Sequence, residues 1–173
     1  MTGRLDGKAA IVTGGGSSAS EAGAGIGQAI AISLAREGAA VVVVDIVAER
    51  AEATLRDIEQ AGGRGLVVEG DVASEPDCEA MVRVARERFG GLDILVNNAA
   101  VSRHVGITET SIELYKEVIG VNLTGSFLAS KFAIPALVDR GGGSIVNIGS
   151  IAAIRDSGTS HPAYSPRKRP SSA

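Results

Sequence analysis

Aromatic side chains are scarce in this sequence, with three phenylalanines, two tyrosines and no tryptophan among 173 residues. A core without them has to be packed from aliphatic strands against helices rich in small residues, and Ala, Val, Ile, Leu and Gly are plentiful enough to supply one. Cysteine is almost missing too. Cys78 stands alone, so no intrachain disulfide can form, and its thiol, on a helix starting near Glu75 with no supporting base nearby, reads as a packed side chain rather than a nucleophile. Positive charge is not in excess: the formal charge is -3 and the pI about 5.4, which gives nucleic acid no basic field to follow. No run reaches the roughly 18 to 20 consecutive apolar residues that cross a bilayer, because Asp45 breaks the longest Val-rich stretch. The amino terminus lacks the apolar stretch and cleavage site of a signal peptide. These absences lead to the expectation of a cytoplasmic protein with neither membrane nor nucleic-acid partners, and no metal site is expected.

What the sequence does contain is an alternation of two patterns. Residues 8–13 are a short apolar run bounded by glycines, and after a long Gly/Ser loop the chain resumes at Gly25 with Ile26, Ile30 and Leu34 at helical spacing. Gly38 is placed to end that helix. Residues 40–45, Ala-Val-Val-Val-Val-Asp, are too continuously apolar for a half-exposed strand and belong at the centre of a parallel sheet. The same reading predicts helices over 47–61, 75–89 and 111–138, and strands over 65–69, 93–96 and 143–148. Pro135 should kink or shorten the last helix. Strands joined by helical crossovers give an α/β fold, a doubly wound parallel sheet of expected order 3-2-1-4-5, without an internal linker.

In such a sheet the ligand crevice lies at the carboxyl ends of the strands where the order reverses. The loop after the first strand, residues 13–27, faces it. Its glycines let backbone amides approach a pyrophosphate, and the positive end of the helix near Gly25 favours the negative charge. Asp45 closes the second strand eighteen residues beyond Gly27, where a carboxylate accepts hydrogen bonds from the adenosine ribose hydroxyls. A carboxylate there repels a 2′-phosphate, and Ile46 and Val47 bring no cation to offset it, so NAD is expected in preference to NADP. The competing reading of Asp45 is a helix N-cap for the segment that follows.

With those pieces in place, the chain resembles the classical short-chain dehydrogenase/reductase family over nearly its whole length to Lys168. The resemblance is carried by Thr13-Gly14 with Gly25-Ile26-Gly27, Asp71-Val72, Asn97-Asn98-Ala99, Val121-Asn122, the run from Ser144 to Ser150, and Tyr164 with Lys168. It implies a Rossmann fold in which Gly14, Gly25, Ile26, Gly27 and Asp45 meet the cofactor. Asp71 and Val72 would flank the adenine, and Asn98 and Ala99 would line the groove. It further implies that Asn122, Ser150, Tyr164 and Lys168 form a catalytic tetrad. The Ser hydroxyl polarises the substrate oxygen while the Tyr exchanges its proton. A Tyr with an ordinary pKa near 10 is a poor base at neutral pH, and the Lys ammonium one helical turn away favours its phenolate. Asn122 would fix a proton-carrying water.

The sequence departs from the family pattern mildly at Asn98-Ala99-Ala100, which has Ala where Gly is commoner, and more strongly at two further places. Between Gly14 and Gly25 stand ten residues where the family has three, and the extra ones lie within 15–24. Beyond Tyr164 the chain reads Ser-Pro-Arg-Lys-Arg-Pro-Ser-Ser-Ala, with two prolines in a segment too short to hold a helix alone. The expectation is therefore a domain over 1–163 that is incomplete at its C-terminal side, followed by an aberrant tail over 164–173. The fifth strand is expected as an apolar edge. Two functions follow: hydride transfer between NAD and a secondary alcohol or ketone, or binding of the dinucleotide without turnover. The substrate is a small molecule. Family members commonly form homo-oligomers, an assembly less expected for this chain. His104, in the loop after the fourth strand, reads first as a surface histidine and second as a substrate contact.

Overall fold

The computed structural model describes residues 3–17, 25–103 and 105–150. Five strands form one parallel sheet: β1 (Ala9–Thr13), β2 (Ala40–Asp45), β3 (Arg64–Glu69), β4 (Ile94–Asn97) and β5 (Ser144–Asn147), in the order β3-β2-β1-β4-β5. This is the expected doubly wound order, and the reversal lies between β1 and β4.

The continuous apolar character of β1 and β2 has a direct cause. Both strands are covered on both faces, so alternate residues serve two separate cores. Ile11, Val42 and Val44 point to one face and pack with Cys78, Met81, Leu128 and Ala133. Ala10, Val12, Val41 and Val43 point to the other and pack with Ala31, Ala35, Ala51 and Ile58. The first face is covered by α3 (Glu75–Phe89) and α5 (Ser126–Asp139), the second by α1 (Ile26–Arg36) and α2 (Ala48–Gln60). Alanines recur on the helix side of both cores, which lets the helices sit close to valine-rich strands, with Phe89 and Phe132 packed only at the margin of the first core.

Gly38 follows the end of α1 with φ of 97°, a left-handed conformation that a side chain would resist. At the other end of the chain, α4 (Ile112–Ile119) begins at Ser111, whose hydroxyl accepts the Leu114 N–H at 3.1 Å. It then continues through a π-helical turn, Gly120–Gly125, directly into α5. The expected interruption at Pro135 does not occur, since α5 runs four residues past it. Pro135 and Lys131 both lie on the exposed face, so the carbonyl left without a proline N–H can turn to solvent. The irregularity sits instead at the π turn around Asn122. The joined helix Ile112–Asp139, 28 residues long with an 18-residue stretch of mean hydropathy 1.3, is long and apolar enough to cross a membrane by length and composition. One face, with Ala129, Ala133, Ala136 and Leu137, is buried against α3 and the sheet, while Leu123, Phe127, Ile134 and Val138 are exposed. Scattered polar residues hide this run from a search for unbroken apolar stretches. Among the described residues β5 is an edge strand, with Val146 and Ile148 45% and 38% exposed.

Candidate active site

The site begins where β1 ends. Thr13 is buried, and its hydroxyl donates to the Val96 carbonyl at 3.3 Å while accepting the Asn98 and Ala99 amides at 3.0 and 3.1 Å. One hydroxyl thus ties the ends of β1 and β4 together at the point of order reversal. Asn98 returns the link: its Nδ2 donates to the carbonyls of Thr13 at 3.0 Å and Gly14 at 2.9 Å. Its side chain therefore clamps the glycine loop.

Gly14 adopts φ of 59°, and a Cβ there would lie 2.7 Å from Ala99 Cα. Gly27, in the first turn of α1, has its Cα against the Gly14 carbonyl and the Asn98 side chain, leaving no room for a methyl. Gly25 is the N-cap of α1 with no side-chain cap, and the first turn carries no acidic residue. Among the described residues no side chain caps the amides at this helix start, which suits an anion.

Asp45 lies at the carboxyl end of β2, half-buried. Its Oδ2 accepts the Gly16 amide at 3.0 Å and its Oδ1 the Val47 amide at 3.1 Å. The N-cap reading fails, because Val47 is the N-cap of α2 and the helix has no side-chain cap. Asp45, Gly14, Gly16, Gly25, Ile26 and Gly27 open on one crevice of about 340 Å³, with Asp71, Val72, Asn98 and Ala99 on its other wall. Every cofactor residue expected from the sequence is thereby brought to one cavity. Asp71 is oriented by accepting the Ala73 amide at 2.8 Å, while its own N–H donates to Asp77 at 2.9 Å.

A second cavity of about 210 Å³ adjoins the first and shares Ala99 and Ala100 with it. Asn122 and Ser150 lie in its wall with Asn97, Ser126 and Ile148. Asn122 sits in the π turn, and its amide grips the β4 loop from both sides: Oδ1 accepts Val101 N–H at 2.8 Å and Nδ2 donates to Val101 O at 2.9 Å. Below it Asn97, from β4, donates to Asn147 Oδ1 at 2.8 Å and Ser130 Oγ at 3.2 Å, joining β4, β5 and α5. Of the expected tetrad the structure thus brings Asn122 and Ser150 to one cavity, while Tyr164 and Lys168 lie outside the described residues, as does His104. Among the described residues no cluster of His, Cys, Asp and Glu is fit to hold a metal.

Cys78 is buried beneath Val72, donating to its carbonyl at 3.2 Å. Burial, reinforced by the carboxylates of Asp77, Asp71 and Glu75, pushes its thiol up to about 11. It is protonated at neutral pH and packed, as its sequence context suggested.

Three residues of the site were not legible as such in the sequence. Thr13 carried a signal, a hydroxyl ending a wholly apolar strand. Arg50 carried none, yet one turn of α2 brings it to the crevice wall beside Asp45, so the absence of a cation at positions 46 and 47 does not describe the whole rim. Gly16 was hidden in the lengthened loop.

The crevice fits a dinucleotide by three independent features: a glycine cradle that side chains would fill, a helix start without a side-chain cap among the described residues, and a fixed carboxylate beyond it. Comparison with known proteins agrees. The sequence profile of the family described as short chain dehydrogenase matches residues 8–169. A 2,5-dichloro-2,5-cyclohexadiene-1,4-diol dehydrogenase of Sphingobium indicum is 41% identical over 151 residues, which are 87% of this chain and 58% of that enzyme. The crystal structure of a Burkholderia xenovorans protein assigned to the short-chain dehydrogenase/reductases superposes with a TM-score of 0.90 at 37% identity, covering 95% of this chain and 64% of that one. An NAD-bound xylitol dehydrogenase superposes with a TM-score of 0.84 at 28% identity, covering 94% and 60%. The chain therefore spans about three fifths of the length of the proteins it matches.

Proposed function

Because this chain belongs to the short-chain dehydrogenase family, we propose that it binds NAD along the crevice at the carboxyl ends of β1, β2 and β4 and serves hydride transfer between NAD and a secondary alcohol or ketone. The carrying observation is the pair of adjoining cavities, one holding Asp45 and the glycine cradle, the next holding Ser150 and Asn122, with Ala99 and Ala100 between them. When bound, the nicotinamide supplies the hydride acceptor or donor. The residues of this chain supply the rest. The amides at the start of α1 take the pyrophosphate charge, and Asp45 accepts from ribose hydroxyls, which favours NAD over NADP. Asp71 and Val72 flank the adenine. Asn122 holds the β4 loop at the mouth of the second cavity. Ser150 donates to the oxygen of the reacting carbonyl, Tyr164 exchanges the proton at that oxygen, and Lys168 holds the Tyr hydroxyl toward its phenolate form. Relatives acting on a cyclohexadiene diol and on xylitol support an alcohol-bearing substrate.

The test is a titration with NADH, read by nicotinamide fluorescence, beside turnover of a panel of secondary alcohols with NAD. Saturable binding with turnover, and loss of at least a hundredfold in kcat for Ser150→Ala at near-unchanged NADH affinity, is the expected result. Binding without turnover in the parent chain would establish the second function, a dinucleotide-binding protein without catalysis. No binding would overturn both.

A further inference from the structure

The lengthened loop after β1 does more at its near end than form a cradle. Gly15 is anchored on both sides: its N–H donates to the Val44 carbonyl at 3.0 Å, and its own carbonyl accepts the Thr54 hydroxyl at 2.8 Å. Ser17 is anchored as well, by its N–H on the Arg50 carbonyl at 2.9 Å. Gly16 lies between these fixed points with its amide on Asp45 Oδ2 at 3.0 Å. Its φ is not in the left-handed region, so the backbone itself does not demand a glycine there. The demand is for space: a Cβ on Gly16 would lie 2.5 Å from Asp45 Oδ2 and 2.7 Å from Arg50 Cβ. Arg50 Cβ is fixed to the first turn of α2 and the loop is pinned before and after, whereas the carboxylate is the end of a rotatable side chain. An added methyl therefore swings the carboxylate away, and its 2.7 Å contact with Arg50 Cβ is relieved only by a shift of the loop against α2.

Resting on the assignment of this crevice to NAD, we propose that Gly16 is a positioning residue for cofactor choice: its amide and its missing side chain hold the Asp45 carboxylate in the one orientation that meets a ribose 2′-hydroxyl and opposes a 2′-phosphate. Charge at position 45 is then insufficient by itself. The Val47 amide on Oδ1 completes the hold, so each oxygen is fixed by one backbone amide and, among the described residues, keeps a lone pair for the ligand.

The experiment compares NADH and NADPH affinities by fluorescence titration in the full chain, with thermal melts run in parallel. The parent is expected to bind NADH more tightly. Gly16→Ala is expected to cut the preference for NADH over NADPH about tenfold, the loss of one charge-assisted hydrogen bond, on top of a weakening common to both nucleotides from the loop's shift against α2. In an Asp45→Asn background the same Gly16→Ala change should alter that preference less than about twofold, because the group it displaces no longer discriminates. Asp45→Glu carries the test whether or not Gly16→Ala folds: it keeps the charge but carries it one methylene past the two amides, and is expected to lose the preference for NADH. Retention of the parental preference by Asp45→Glu, equal weakening of both nucleotides by Gly16→Ala, or additivity in the double variant would each overturn the proposal while leaving NAD binding intact. A parent chain that binds neither nucleotide overturns the crevice assignment itself, and this proposal with it.

Discussion

Two aspartates stand at opposite ends of the same sheet, and they are held in opposite ways. Asp93, just before β4 at the amino ends of the strands, is 4% exposed and saturated with donors. Its Oδ1 accepts Lys8 Nζ at 3.0 Å, and its Oδ2 accepts the Ala9 amide at 2.9 Å and Arg140 Nη2 at 3.1 Å. Its main chain meanwhile bonds Ala9 and, from β5, Ser144. One residue thus joins β1, β4, β5 and the end of α5. Among the described residues Asp45 accepts two backbone amides and forms no ion pair, with Arg50 beside it on the crevice wall, and its outer side opens on the crevice. A carboxylate whose lone pairs are used by the protein's own cations fastens strands; one held only by amides keeps capacity for a ligand. The amino end of the sheet is secured by charge, the carboxyl end by side chains that are missing.

The comparison is broken most severely by filling one of those missing positions. Gly27→Ala would place a methyl into the Gly14 carbonyl and the Asn98 side chain, and neither has anywhere to go, since Asn98 is bonded to Thr13 and Gly14. A cost of more than about 3 kcal/mol in unfolding free energy is expected, together with loss of NADH binding, checked by denaturant titration and fluorescence. Next in size is removal of charge at the other end. Asp93→Ala leaves Lys8, Arg140 and the Ala9 amide without their acceptor and is expected to cost about 2 to 3 kcal/mol, discounted from a fully buried pair because both cations are partly solvated. Its NADH affinity should be unchanged.

The same contrast has a pH dependence. Burial alone would raise the Asp93 carboxyl, but the Ala9 amide, Lys8 and Arg140 outweigh it and hold the group below its ordinary 3.8. A carboxyl lowered in the folded state contributes stability that is complete above its unfolded value and lost as pH falls through the folded one. The stability gap between the parent and Asp93→Asn should therefore be widest above about pH 4 to 5 and close below it. A gap that persisted at lower pH would remove the ion cluster as its cause.

How much of this could be seen in the sequence follows from which residues act locally. β2 was legible because a strand covered on both faces needs no alternation, and Val41 to Val44 show none. The helix over Glu75–Phe89 was legible to the residue, with Pro76 in its first turn and Gly90 in the left-handed conformation at its end. Asp45 was legible from its place after β2. What was not legible depends on atoms far apart in the chain. Asp93 and Lys8 are separated by 85 residues, and nothing near either announces the other. The π turn at Asn122 arises where the amide side chain bonds Val101 across 21 residues, while Pro135, the visible breaker, breaks nothing because it faces solvent. Gly16 looked like one more flexible residue in a long loop, and only the distance to Asp45 and Arg50 gives it a role.

The smallest expected effect is the one that separates fastening from reading most cleanly. Asp45→Ala removes a charge bonded to two amides at the rim of an open crevice, where water can replace the carboxylate at both Gly16 and Val47. The structural cost should therefore stay under about 1 kcal/mol, well below that of Asp93→Ala. The binding cost should not be small in the same way, because the ribose hydroxyls of NADH lose a charged acceptor that solvent does not reproduce in a fixed position, and about a tenfold loss of affinity is expected. Melts and titrations on the same two variants thus form a crossed pair: Asp93→Ala moves the melt and not the affinity, Asp45→Ala the affinity and barely the melt. If Asp45→Ala destabilised the chain as much as Asp93→Ala, the amides of Gly16 and Val47 would have to be structural ties that water cannot satisfy, and the carboxyl end of the sheet would be secured by charge after all.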